Sequence, residues 1–251
     1  MGKSRSVVPA GISAIAHRFW QKSQQIPAEA WRRWGGTLAI GLGILALLTY
    51  ATTRLAMGWQ DPWLQDWDRQ TLIAITERFP MTFAKGVTWE SPGNLVGMLP
   101  MILTFTALTA WFANPLIAAS AVAAYVLQFA LVWISWGMWD RDRPDLIADG
   151  LAAPGLHSFP SGHATVVMAT YGFLFYLWLR TSRSWLERFI ALSFSLVWIG
   201  LISMARLILG THWTSDIIAG LALGGLWLLT VVIAMERGLG YVRRSQKRQS
   251  G

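Results

Sequence analysis

A chain of 251 residues that is 54% hydrophobic, with sixteen tryptophans and a mean hydropathy of +0.41, is too apolar for an ordinary soluble domain of that size. Its net charge of +8 comes from 21 Lys and Arg against 13 Asp and Glu; these divide among tails and loops instead of lining one face, which argues against nucleic acid as a partner. The absence of cysteine excludes disulfides, thiolate chemistry and cysteine-based zinc sites.

Residues 1–33 are basic and set Ile12, Ile15 and Phe19 at helical spacing, so this cytoplasmic segment reads either as an interfacial helix or as a frayed tail. The opening "MGKSRS" also fits the loose myristoylation pattern, a weak signal. Spanning about 30 Å of hydrocarbon takes roughly 20 apolar residues. Six runs approach that length: 34–53, 93–112, 115–136, 164–179, 189–205 and 217–235, the fourth and fifth being short unless flanking residues extend them. The expected fold is all-α, a bundle of six transmembrane helices with short interfacial helices on the outer side. One domain over 34–236 is followed by a basic cytoplasmic tail, 237–251. Between the first two runs, "DPWLQDWDRQTLIAITERF" places Trp63, Leu64, Trp67 and Ile75 among charges, as a helix in the membrane interface would. It serves either as a connector packed on the bundle or as a lid or lipid-entry surface.

Lys and Arg are retained on the cytoplasmic side of short loops. Six basic residues precede the first run, Arg180, Arg183 and Arg188 lie between the fourth and fifth, and five follow the last. Both termini are therefore expected in the cytoplasm, with the chain in the plasma (inner) membrane.

On that topology three polar clusters share the outer side: "DRDRP" at 140–144, "PSGH" at 160–163 and "ARLILGTHWTSD" at 205–216. Ionisable groups at membrane depth cost on the order of 3 kcal/mol each and mark function. Arg143 and Arg206 offer planar forks suited to phosphate oxygens. Ser161 and Gly162 precede a helix whose free N–H groups favour an anion. His212 and Asp216, four apart, share a helix face, so the carboxylate can fix the imidazole tautomer and leave the other nitrogen as nucleophile or base. His163 can protonate a departing oxygen. His163, His212, Asp216 and His157 also form a set that could ligate a metal.

Arg143-Pro144, then Pro160-Ser161-Gly162-His163, then Arg206 with His212 and Asp216, resembles the three-part signature of the type 2 phosphatidic acid phosphatase superfamily, which contains six-span lipid phosphatases and soluble vanadium haloperoxidases. The resemblance covers roughly residues 60–235. It implies His212 as the nucleophile forming a phosphohistidine, Asp216 as its orienter and His163 as acid on the leaving group. Arg143, Arg206, Ser161 and Gly162 would hold the phosphoryl oxygens, with no metal and no cofactor. Two positions depart from the pattern: Trp136 stands where the family has a Lys, and Ala205 where a Ser is common. Arg141 is expected either to supply the missing charge to the phosphate or to pair with Asp140 or Asp142. The implied activity is a lipid phosphate phosphatase at the outer face of the bilayer. A polyprenyl diphosphate such as undecaprenyl diphosphate ranks first among substrates, ahead of phosphatidylglycerol phosphate, phosphatidic acid and lipid A phosphates. The alternative is a phosphotransferase using the same site. A transporter is disfavoured by the charged constellation, and a haloperoxidase by the six spans.

Overall fold

The structure, a computed structural model, describes residues 10–146 and 157–249. Its helices are α1 (Ala10–Gln24), α2 (Ala28–Trp59), α3 (Gln65–Arg78), α4 (Phe83–Glu90), α5 (Leu95–Phe112), α6 (Pro115–Val126), α7 (Gln128–Trp136), α8 (Gly162–Thr181), α9 (Trp185–Ile208) and α10 (Thr214–Gln249), with no strand among the described residues. Among the described residues six helical stretches are long and apolar enough to cross a membrane, and the chain is a multi-pass all-α membrane protein.

The fourth and fifth spans reach full length as Gly162–Thr181 and Trp185–Ile208, because capped polar turns extend each apolar run. Ser161 accepts from Ala164 N at 3.3 Å, and Ser184 accepts from Glu187 N at 3.1 Å while the Glu187 carboxylate takes Arg183 N. The second span is α4 and α5 joined by a short turn at Ser91–Gly93, with Pro100 inside α5. The third breaks at Leu127 into α6 and α7. The basic segment after residue 236 continues α10 without interruption to Gln249.

The N-terminal segment takes the helical alternative from Ala10 onward. Lys22 on α1 donates to the carbonyls of Trp111 (2.7 Å) and Ala113 (3.1 Å) at the end of α5, and Arg18 lies 4.5 Å from the Trp111 ring centre. A cation at a helix C-terminus is favoured by the exposed carbonyls there. Helix α3 and the helical turn before it, Gln60–Leu64, lie between the first two spans as an amphipathic element: Trp63 and Trp67 are exposed, whereas Leu64 and Leu72 are buried.

The core is apolar and closes around α10, whose Trp227 is fully buried and donates through its indole N–H to the Ala123 carbonyl. Because lipid is as apolar as leucine, helix association inside a bilayer depends on close packing of small residues. Gly220 and Gly224 supply it. A Cβ at Gly220 would sit 2.6 Å from the Ser161 carbonyl oxygen and one at Gly224 2.5 Å from that of Thr165, so α10 and α8 meet backbone to backbone. Gly220→Val is expected to destabilise the fold by about 1–3 kcal/mol through overpacking. It should also prise apart the two helix starts that carry the polar clusters. Thermal unfolding in detergent checks this, and an unchanged melting temperature would refute the clamp.

Candidate active site

All three polar clusters lie at one end of the bundle. Helix α9 ends in a Schellman turn: Gly210, at φ 65°, has a left-handed backbone that a Cβ disfavours, Gly210 N donates to Leu207 O, and Thr211 N donates to Arg206 O. The chain reverses within that turn, so Arg206 on the last turn of α9 and His212 just before α10 serve one place. Asp216, three residues after Trp213, accepts from Trp213 N at 2.9 Å and so caps the helix that carries it. Its carbonyl takes Ser161 N at 3.0 Å, which ties the start of α10 to the start of α8. Trp213 donates through its indole to Asp142 O, which ties in the first cluster.

His212 is 2% exposed in its side chain, and its Nδ1 lies 3.5 Å from Asp216 Oδ2, leaving Nε2 as the nitrogen away from the carboxylate. Burial pushes the imidazole down to about 4, with the Asp216 carboxylate working against that shift; the ring is a neutral base at pH 7. His163, on the first turn of α8, has Nε2 2.6 Å from Asn94 Oδ1, so that nitrogen carries the proton. Arg143 donates to His157 O at 3.4 Å. Burial lowers its pKa and Arg206 adds repulsion, while Asp216 and Glu90 act in the opposite sense. Arg206 pairs through Nη1 with Glu90 Oε2, and its buried Nε has no hydrogen-bond partner among the described residues.

A cavity of about 260 Å³ joins Arg143, His163 and His212. Arg143, Gly162, His163, His212, Gly93 and Trp136 line one part, and Leu95, Met98, Tyr125, Phe129 and Val166 from α5, α6, α7 and α8 line the rest. Ser161 is fully buried as the cap of α8, and Arg206 is 7% exposed and does not line the cavity. The structure thus brings together His163, His212, Asp216, Arg143, Arg206, Ser161 and Gly162.

It does not bring Arg141 to this group. That guanidinium is 3% exposed and donates to Asp216 Oδ1 (2.6 Å), Asp68 Oδ2 (2.6 Å) and Ser215 Oγ (2.8 Å), between the rings of Trp139 and Trp213. The expected pairing with Asp140 or Asp142 is also replaced, because α3 and α10 supply carboxylates at closer reach. Asp140 instead meets His157, Oδ1 to Nδ1 at 2.9 Å, and His157 stacks on Trp136 at 5.8 Å. His157 therefore supports the wall. No group of three or more His, Asp or Glu side chains placed to hold a metal occurs among the described residues.

Asp68, Glu90, Asn94, Ser158 and Ser215 belong to the site and were not singled out from the sequence. Asp68 and Glu90 had a readable signal. Asp68 sits four residues from both Leu64 and Leu72, and Glu90 four from Gly86, so each carboxylate falls on a buried helix face.

Trp136 covers the turn that opens α8. A Cβ at Gly162 would lie 3.2 Å from its Cζ2, and its indole donates to Pro160 O at 3.3 Å. Trp136→Lys is expected to lower KM for a phosphate substrate about tenfold, ~1.4 kcal/mol of added charge-assisted contact. It should also lower the melting temperature, through loss of the ring stack on His157. Steady-state kinetics beside thermal unfolding separate the two, and an unchanged KM would show that the side chain at 136 does not reach the phosphate.

The family profile described as PAP2 superfamily matches residues 115–238. Two lipid A 1-phosphatases are similar in sequence. The one from Rhizobium etli is 41% identical over 110 residues, 39% of this chain and 42% of its own, and that from Rhizobium johnstonii is 40% identical over 83 residues, 33% and 30% respectively. The chain thus spans less than half the length of these relatives. The crystal structure of the first transmembrane PAP2-type phosphatidylglycerolphosphate phosphatase from Bacillus subtilis shares the fold, with a TM-score of 0.57, 21% identity, and coverage of 77% of this chain and 93% of that one.

Proposed function

The chain belongs to the PAP2 superfamily, and from that premise we propose that it is a lipid phosphate phosphatase working through a phosphohistidine. The observation that carries this reading is the single cavity in which a buried, neutral His212 and Arg143 share walls with an apolar slot. A phosphate bound against the α8 N-terminus has its oxygens met by Arg143, Arg206 and backbone N–H groups, while an attached lipid lies along Leu95, Met98, Tyr125 and Phe129.

In the proposed reaction His212 Nε2 attacks phosphorus, the lipid oxygen departs with a proton from His163, and a phosphohistidine forms. His163 then takes a proton from water, which attacks that intermediate and releases phosphate. Asp216 steadies the imidazole as positive charge develops on it. Two guanidinium groups and a helix terminus supply positive charge around the phosphoryl group, so release is expected to survive chelation.

Among substrates, the similarity to lipid A 1-phosphatases favours a lipid phosphomonoester, with lipid A 1-phosphate first. Phosphatidylglycerol phosphate and polyprenyl diphosphate follow, a reordering of the ranking drawn from sequence. The distribution of basic residues supports cytoplasmic termini, with the chain in the inner membrane and the site on its outer face.

The test is phosphate release from these lipids in sealed proteoliposomes of determined orientation, with chelator present. Release from lipid A 1-phosphate when the α8 N-terminal end faces the substrate is the expected result. Equal rates on short soluble phosphates would refute the lipid assignment, release only from the diphosphate would refute the phosphomonoester preference, and loss on chelation restored by one divalent ion would refute the metal-free chemistry. Phosphorylated acceptor lipid without free phosphate would instead establish the phosphotransferase.

A further inference from the structure

Two buried carboxylates share one guanidinium behind the site. Asp68, fully buried on α3, accepts from Arg141 Nη2 at 2.6 Å, from Ser215 Oγ at 2.6 Å and from Ser215 N at 2.7 Å. Arg141 Nη1 donates in turn to Asp216 Oδ1, and the other Asp216 oxygen takes Ser158 Oγ and Trp213 N and faces His212. The row Asp68, Arg141, Asp216 carries two negative charges and one positive.

We propose that Asp68 is a positioning residue for His212, acting through Arg141 and Asp216. The proposal rests on the reading of His212 as nucleophile. An isolated Arg141–Asp216 pair would be neutral, and its carboxylate would offer the imidazole little. With Asp68 drawing on the same guanidinium, one net negative charge stays in the row beside His212. Charge in a water-poor site acts strongly, and here it stabilises the cationic imidazole formed as phosphorus is attacked. The substrate binds elsewhere, against Arg143 and the α8 N-terminus, so Asp68 bears on kcat and not on KM.

Four variants test this with a lipid phosphate substrate in detergent micelles, each checked for monodisperse elution and melting temperature. Asp68→Asn is expected to lower kcat tenfold or more with KM within twofold, while Asp68→Glu, which keeps the charge, retains most of the activity. Arg141→Met leaves two facing carboxylates with no cation to hold them, so their repulsion displaces Asp216 from the imidazole, and it is expected to lose more than Asp68→Asn. Asp68→Asn with Arg141→Met restores one net negative charge, with Asp216 still held by Ser158 and Trp213, and is expected to recover activity above that of Arg141→Met. A folded Asp68→Asn protein with wild-type kcat overturns the proposal. So does a double variant worse than either single one, the result for a residue that only ties α3 to α10. If Arg141→Met does not fold, the contrast between Asp68→Asn and Asp68→Glu decides: equal kcat in the two overturns the proposal. His212→Ala in the same assay separates the two levels: retained release there refutes the active-site reading itself, whereas its loss beside an unaffected Asp68→Asn refutes only the role of Asp68.

Discussion

His212→Ala is expected to abolish phosphate release, a loss of about 10⁴-fold or more, because in a covalent mechanism no neighbouring group replaces the nucleophile. The fold should survive. His212 sits in a loop between α9 and α10, and the turn that places it is built by Gly210 and backbone bonds to Arg206 and Leu207, not by the imidazole. Asp216 keeps Arg141, Ser158 and Trp213 as partners when the ring is gone. A variant with normal melting behaviour and no turnover is therefore the expected phenotype. The complementary variant, His163→Ala, removes the proton donor but not the attacking nitrogen. With a substrate whose leaving group needs no proton, it should accumulate an acid-labile, base-stable phosphoprotein. Near-normal release by His212→Ala would refute the assignment.

Arg206→Ala is expected to damage both stability and turnover, and the two losses separate. Arg206 neutralises Glu90, which is 6% exposed; removing one partner of a buried ion pair typically costs about 3–5 kcal/mol, because the other charge is left uncompensated. The Glu90→Ala, Arg206→Ala double variant removes that penalty and should recover most of the lost stability. It should not recover activity, since the phosphoryl oxygens still lack a donor, for which a loss of about 10²–10³ in kcat is the expected scale. Chemical or thermal unfolding beside steady-state kinetics checks both halves. A double variant with restored turnover would show that Arg206 serves only to balance Glu90.

The apolar runs and the spacing of the three clusters made the six-helix bundle legible in the sequence, since hydrocarbon thickness fixes helix length and topology puts alternate loops on one side. Ser161, Gly162, His163, Arg206, His212 and Asp216 were legible for a related reason: each lies within a few residues of a helix end, and those ends converge at one end of the bundle, whereas Arg143 comes from the segment beyond α7. Arg141 was misread because proximity in sequence to Arg143 suggested a shared role. Its actual partners, Asp68 and Asp216, lie 73 and 75 positions away and are chosen by packing of α3 and α10. Asn94 had no readable signal. It looks like any polar residue before a helix, and only the fold carries it to His163.

Helix α10 works as a depth gauge for the chemistry. Asp216 closes its first turn, and the next charged residue along it is Glu236, which pairs with Arg180 at 2.5 Å and Arg243 at 3.1 Å. The interval is about 20 residues, or roughly 30 Å at 1.5 Å per residue, the thickness of the hydrocarbon layer. The spacing of the two charged stations thus matches the thickness of the apolar layer, and the turns of the helix beyond Glu236 are rich in arginine. His212 sits just before Asp216, at the first of these two stations. On the proposed function, a lipid phosphate would meet the imidazole without rising out of the membrane or carrying its headgroup into the apolar layer, and would never have to be extracted.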